Sequence, residues 1–139
     1  MNRKEFVVAF LDAFAKDLTK QQKRKLGLNF KPNGDYRGGG YLWNIFASGS
    51  VPCFEGDEAR AKYNEADKTD AFQIQYDTGI GYGDEQTEYL SPPFMTAEKL
   101  DLYGYPEFYI IGKDFSWCYV ITHEGDLDGP YFAYRPSEQ

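Results

Sequence analysis

The sequence predicts an α+β fold, in which N-terminal helices pack on a C-terminal antiparallel sheet of about four strands. Three observations predict it: helical spacing of apolar residues near the N-terminus, alternation of apolar and polar residues from residue 71 onward, and short turn-rich links between the last strands. Helices followed by strands are typical of α+β domains rather than of βαβ units. With 139 residues, 42% of them hydrophobic, the chain is predicted to form a single domain, residues 1–139.

Two helices are predicted at the N-terminus. Asn2 followed by Glu5 is typical of a helix start, and the apolar residues behind it recur at steps of three and four: Val7, Phe10, Leu11, Phe14 and Leu18. Thr19 followed by Gln22 has the spacing of a capping box and predicts a short basic helix over 20–26, which Gly27 ends. The segment 31–40 is rich in Gly and predicts a loop with a flexible joint.

Two further helices are predicted in the middle of the chain. The dense apolar run 41–48 indicates a buried helix, because Leu42, Ile45 and Phe46 share a helical face. After Pro52, Asp57 stands where an N-cap is expected, and the following residues favour a helix to Asn64.

The strands are predicted over 71–76, 107–112, 117–123 and 131–134. The segment 77–93 is rich in Gly, Pro and acids and predicts an exposed excursion, after which Thr96 caps a helical turn through Leu100. Turns at 113–114 and 125–129 join the last strands. We expect helices on one face of the sheet and a partly open second face.

The net charge of −7 is unevenly distributed along the chain. Residues 1–37 hold nine Lys or Arg against four acids, a charge of +5, and the remainder holds six against eighteen, a charge of −12. Such an acidic body is expected to repel nucleic acid and membrane phosphates and to attract a basic protein partner. The alternative is that the acids serve only solubility.

No signal-peptide core or membrane span is apparent, because charged residues interrupt the apolar positions near the N-terminus. We therefore expect a cytoplasmic protein. Cys53 and Cys118 are too few for a secreted disulfide framework, so reduced thiols are expected, although the sequence leaves a bridge between them open.

His123 is the only histidine and the first candidate for acid–base chemistry near neutral pH. In a strand, His123 shares a face with Trp117 while Cys118 lies on the other face. A Cys–His nucleophilic pair would therefore use Cys53, with His123 as base and an acid such as Asp126 orienting the ring. The apolar neighbours of Cys53 favour an inert buried thiol instead.

We expect no metal and no cofactor. His123 with Glu124, Asp126 and Asp128 makes a poor zinc site, and the segment 126–129 lacks the full ligand set of a calcium loop. The glycine run 79–83 is rejected as a phosphate loop because Asp84 and Glu85 follow it.

Aromatic residues make up 18% of the chain, and several tyrosines lie in or beside predicted loops: 82, 89, 103, 105, 131 and 134. Aromatic side chains beside acids suit a protein-binding face, although core packing is the alternative explanation for most of them. The residues predicted to bind a partner are Trp43, Glu55, Tyr82, Asp84, Glu85, Trp117, Asp126 and Asp128.

Three segments resemble the bacterial family known as domain of unknown function DUF4275: residues 42–46, 53–59 and 115–124, the last leading into Gly-Pro-Tyr-Phe at 129–132. The resemblance covers about residues 41–132. It implies a small cytoplasmic bacterial protein and brings no established activity. It also suggests that a set of residues belongs together: Trp43, Glu55, Trp117, His123 and Glu124.

The sequence favours a non-enzymatic protein-binding module, of the kind that immunity proteins and antitoxins represent, over an enzyme, because the body is acidic and no complete catalytic set is present. A small hydrolase or transferase that uses His123 with Glu124, Glu55 or Cys53 is the first alternative. A small-molecule sensor with an aromatic pocket between sheet and helices is the second.

Overall fold

The computed structural model describes residues 3–28, 41–75, 88–89, 96–102, 107–122 and 124–136. The helices are α1 (Arg3–Phe14), α2 (Lys20–Lys25), α3 (Asn44–Ala47), α4 (Asp57–Glu65) and α5 (Ala97–Asp101). The strands are β1 (Phe54–Glu55), β2 (Phe72–Gln75), β3 (Glu88–Tyr89), β4 (Phe108–Ile111), β5 (Trp117–Ile121) and β6 (Tyr131–Tyr134). Single 3₁₀ turns occur at Lys113–Phe115 and Gly125–Leu127.

The strands form one antiparallel sheet in the order β1-β6-β5-β4-β2-β3. The predicted α+β class is confirmed, and each of the four predicted strands is present. The sequence pattern missed β1 and β3, because two residues are too few to show an alternation. As a result, part of the predicted excursion 77–93 contributes an edge strand.

Three predicted helix ends are confirmed by their hydrogen bonds. The Thr19 hydroxyl accepts from the Gln22 amide at 3.1 Å, and the Gln22 side chain accepts from the Thr19 amide at 2.7 Å. Gly27 follows the end of α2 with a φ of 81°, a conformation that glycine adopts without strain. The Thr96 hydroxyl accepts from the Lys99 amide at 3.2 Å and caps α5. The predicted cap at Asn2 and the loop 31–40 lie outside the described residues.

The predicted N-cap of α4 is wrong by one residue. Gly56 is the cap, with φ 64° and ψ −132°, and Asp57 is the first residue of the helix. Gly56 can take this conformation because it lacks a Cβ. The Asp57 carboxylate accepts instead from the Arg60 guanidinium one turn later, at 2.9 Å.

The expectation of helices on one face only is also wrong, because both faces of the sheet are covered. All five residues of β5 are buried, although successive side chains point to opposite faces. Cys118 and Val120 belong to a core cluster with α1, α3 and the segment before α3. We call this side of the sheet the α1 face. Trp117, Tyr119 and Ile121 belong to a second cluster with α4 and α5, which we call the α4 face.

The α1 face is packed by aromatic rings. Phe10 of α1 lies 5.4 Å from the ring of Tyr109 on β4 and 6.2 Å from that of Phe46 on α3. Phe6 contacts Tyr109 at 5.6 Å, one helical turn earlier. The apolar spacing read from the sequence therefore marks the residues that hold α1 on the sheet.

The α4 face is built around two stacked tyrosines. Tyr63 of α4 and Tyr119 of β5 lie 4.4 Å apart at an angle of 16°. Trp117 stacks on Phe132 of β6 at 5.5 Å. The Trp117 indole also lies against the backbone of Gly112, where an added Cβ would lie 2.3 Å from Nε1. This close approach requires glycine at position 112.

Candidate functional site

The candidate site lies at one end of the sheet, where β5 ends and β6 begins. The register sets Glu55 opposite Tyr131 and Phe108 opposite Ile121. Continued by one residue, it places Glu107 beside Thr122. The carboxylates of Glu55, Glu107, Glu124 and Asp128 therefore belong to one region of the fold, which we call the acidic end.

Tyr131 links two of the predicted binding residues. Its side chain is buried against Trp43 and Phe46, with ring centroids at 6.4 and 5.9 Å. Burial raises the pKa of Tyr131 most, and the nearby carboxylates of Glu55 and Asp128 raise it further because they disfavour a second negative charge. Glu55 and Asp128 thus both lie near enough to Tyr131 to act on its hydroxyl electrostatically.

The turn between β5 and β6 is held by a buried threonine. The Thr122 hydroxyl donates to the carbonyl of Asp128 and accepts from the amide of Glu124 at 3.3 Å. Within the turn, Leu127 is 87% exposed, between the half-buried residues Glu124 and Asp128. An apolar side chain is therefore presented to solvent between two acids.

Glu107 is a buried carboxylate that sequence reasoning missed. It is 2% exposed and accepts from Trp43 Nε1 at 2.7 Å, while the Tyr109 hydroxyl donates to it at 3.5 Å. Trp43 also stacks on Tyr41, with ring centroids 5.1 Å apart. The link between Glu107 and Trp43 spans 64 residues of sequence, so no local pattern could reveal it.

The chain is matched by the family model of domain of unknown function DUF4275 over residues 4–132. It belongs to the DUF4275 family. The match extends the resemblance seen from residue 41 onward back through α1 and α2. No curated protein and no solved structure matches the chain.

Two residues expected to belong together in this DUF4275 chain lie apart. Trp43 packs on the α1 face, whereas Trp117 lies on the α4 face with Tyr63 at 6.0 Å. The sheet itself separates them, because odd and even positions along β5 point to opposite sides. Both indoles are nearly buried, at 4% and 6% exposed, so neither offers much surface to a partner.

The two cysteines of the DUF4275 chain are free thiols with β6 between them. Cys118 pairs with Ala133, and the β1–β6 register continued by one residue sets Cys53 on the other side of Ala133. Two strand spacings separate their Cα atoms by about 10 Å, which is beyond the reach of a disulfide. The bridge that the sequence left open therefore cannot form in this fold.

Neither thiol is ionised near neutral pH. Burial, and then the carboxylate of Glu55, raises the pKa of Cys53 from 9.0 to about 11. Burial raises the pKa of Cys118 well above its usual value. Because the thiolate is the nucleophilic form, these environments oppose catalysis by Cys53. His123, the suggested base of a Cys53 pair, lies outside the described residues.

Several other predictions concern the remaining residues of the DUF4275 chain. Tyr82, Asp84, Glu85 and the glycine run 79–83 lie outside the described residues, and Asp126 lies within the turn Gly125–Leu127. Of the tyrosines in or beside predicted loops, Tyr131 is buried, whereas Tyr134 is 54% exposed. The tyrosine content therefore serves the core as well as the surface.

Within the described part of the chain, no group of three or more His, Cys, Asp or Glu is arranged to hold a metal ion. None of the helices described here combines the length and the apolar character needed to cross a membrane. The absence of a metal, of a cofactor and of a membrane partner each stays a prediction.

Proposed function

We propose that this DUF4275 protein is a non-enzymatic binding protein whose acidic end docks on a basic protein. The observation that carries the proposal is Leu127, which is 87% exposed in a hydrogen-bonded turn between Glu124 and Asp128. An exposed apolar side chain flanked by acids is typical of an interface with an apolar centre and a polar rim.

The charges around Leu127 set the character of the partner. Glu55 is exposed on the neighbouring strand β1 and acts on the same tyrosine as Asp128. Together with the charge of −12 beyond residue 37, these acids would attract a basic surface and accelerate its association. An immunity or antitoxin-like antagonist, which must capture its target quickly, fits this chemistry.

The raised pKa of Cys53 supports this proposal over the hydrolase alternative. A thiol with a pKa of about 11 is almost entirely protonated at pH 7 and would need a strong activating base. Binding through Glu55, Leu127 and Asp128 requires no ionised thiol.

The proposal is tested by affinity capture from a lysate of the native host with three baits. One is the wild type, and one is the triple variant Glu55→Gln, Glu124→Gln, Asp128→Asn. The third is a charge-matched control on exposed residues elsewhere, Asp12→Asn, Asp17→Asn, Glu65→Gln. We expect a basic protein to be retained by the wild type and the control and lost by the acidic-end variant.

A titration of the recovered protein against the three baits at low and moderate salt completes the test. Affinity that falls as salt rises, and falls further when Leu127→Ser is introduced, supports docking at the acidic end. Equal retention by the acidic-end variant and the wild type contradicts the proposal.

A further inference from the structure

Helix α5 is short and shallowly anchored. It has five residues, of which Ala97 and Leu100 are buried in the core of the α4 face. Leu102, directly after the helix, is 86% exposed. A helix of this length is unstable by itself in water, so its persistence depends on its contacts with α4 and the sheet.

Polar contacts between described residues join α5 to α4. Arg60 Nε donates to Asp101 Oδ2 at 2.8 Å, and Asn64 Nδ2 donates to the Glu98 carboxylate at 3.1 Å. The Asn64 side-chain oxygen accepts from the Ala97 amide at 2.9 Å. Glu98 and Asp101 lie at the surface, where water can replace the contacts of their carboxylates at little cost.

A buried hydroxyl lies beneath these contacts. Tyr119 is fully buried, and its hydroxyl oxygen has no hydrogen-bond partner among the residues that the structure describes. The Tyr119 ring stacks on Tyr63 of α4 at 4.4 Å, so the side chain lies directly under that helix. Burial raises the pKa of Tyr119 most, and the Asp101 carboxylate of α5 raises it further. A buried hydroxyl without a partner disfavours the packed state, because the same group would be hydrated in the presence of water.

We propose that α5 is a clasp that detaches from α4 as a unit while the sheet stays folded, giving water access to the Tyr119 hydroxyl. Closure gains the burial of Ala97 and Leu100 and the polar contacts of Arg60 and Asn64. Opening allows water to form a hydrogen bond with the Tyr119 hydroxyl. Part of the α4 face can therefore be uncovered while the strands stay folded.

The test is amide hydrogen exchange of the intact protein, followed by NMR. The reporters in α5 are the hydrogen-bonded amides of Ala97 and Leu100, and the reference is the amides of β5. We expect the α5 amides to exchange faster than those of β5 and to depend less on added urea. Tyr119→Phe, which removes the unpaired oxygen, should slow exchange in α5 about 5- to 100-fold.

A variant on the opposite face separates local opening from global unfolding. Phe10→Leu weakens the α1 face and should speed exchange in β5 while leaving α5 unchanged, because the clasp opens without unfolding the sheet. The proposal is overturned if α5 and β5 exchange in parallel in the wild type and Phe10→Leu, or if Tyr119→Phe leaves α5 exchange unchanged. The Phe10→Leu comparison decides the matter even if Tyr119→Phe folds poorly.

Discussion

The two faces of the sheet are built on the same strands but differ in whether their buried polar groups have hydrogen-bond partners. On the α1 face, the buried carboxylate of Glu107 accepts a hydrogen bond from Trp43 at 2.7 Å. On the α4 face, the buried hydroxyl of Tyr119 has no partner within the described part of the chain, and polar contacts at the surface hold α5 against α4. Because an unpaired buried group favours opening and a paired one opposes it, the α1 face should be the more rigid of the two.

Removing an aromatic ring from the α1 face should have the largest effect. The ring of Phe10 is fully buried, with the rings of Phe6, Phe14, Phe46 and Tyr109 within 6.2 Å. Phe10→Ala should therefore lower the free energy of unfolding by about 3–5 kcal/mol. Urea denaturation measures the loss. Phe54→Ala, at a half-buried position, is the control and should cost clearly less; equal losses would contradict the difference in packing.

The hydrogen bond between Glu107 and Trp43 can be removed by a substitution of the tryptophan. Trp43→Phe keeps an aromatic ring but removes the Nε1–H donor, which should cost about 1–3 kcal/mol, because the carboxylate stays buried with one hydrogen bond fewer. A double-mutant cycle with Glu107→Gln, measured by urea denaturation, should give a coupling of about 0.5–3 kcal/mol. Additive effects would show that the bond does not tie the segment before α3 to the sheet.

Overpacking tests the α4 face at Gly112. The methyl group of Gly112→Ala would meet the Trp117 indole at 2.3 Å, so the ring must move, at a cost of about 1–3 kcal/mol. The same change in a Trp117→Phe background should cost less, because the smaller ring leaves room. Thermal or urea unfolding of the four proteins measures both costs. An equal cost in both backgrounds would mean that Gly112 acts through the backbone alone.

The smallest effect is a loss of stability at alkaline pH, which arises from one titratable group near each face of the sheet. The pKa of Cys53 is raised from 9.0 to about 11 and that of Tyr63 from 10.0 to about 12, both first by burial. Since the folded state holds these protons more tightly, their contribution is fully present below pH 9 and is lost as pH rises towards 11 or 12.

Urea midpoints measured from pH 7 to pH 11 check this expectation. The midpoint of the wild type should fall above pH 9. Cys53→Ser should flatten the fall between pH 9 and pH 11, and Tyr63→Phe should flatten it above pH 10. Identical pH profiles for the wild type and Cys53→Ser would contradict the raised pKa of the Cys53 thiol.

The local elements were predictable from residues that lie close together in the chain. The capping box at Thr19, the glycine that ends α2 and the cap at Thr96 depend on residues within a few positions of one another, so each was readable from the sequence. The alternation along β5 correctly assigned Cys118 and Trp117 to opposite faces, because the period of a strand is fixed by its geometry.

The candidate site could be predicted only in part, because some of its residues come from distant parts of the chain. Glu55 and Asp128 both act electrostatically on Tyr131, and their role in binding a partner stays a prediction. Glu107 was missed because its partner Trp43 lies on a different element, and Trp117 was wrongly grouped with Trp43 because sequence similarity does not say on which side of a sheet a residue lies.

The way in which the elements combine depends on contacts that form only in the folded protein. The pairing of β1 with β6 places a strand between Cys53 and Cys118, and the docking of α4 and α5 covers the face that was expected to be partly open. These outcomes depend on contacts between residues far apart in the chain, whose free energies are set by packing and burial rather than by local preference. The unpaired hydroxyl of Tyr119 arises in the same way, since α4, α5 and β5 together exclude water from it.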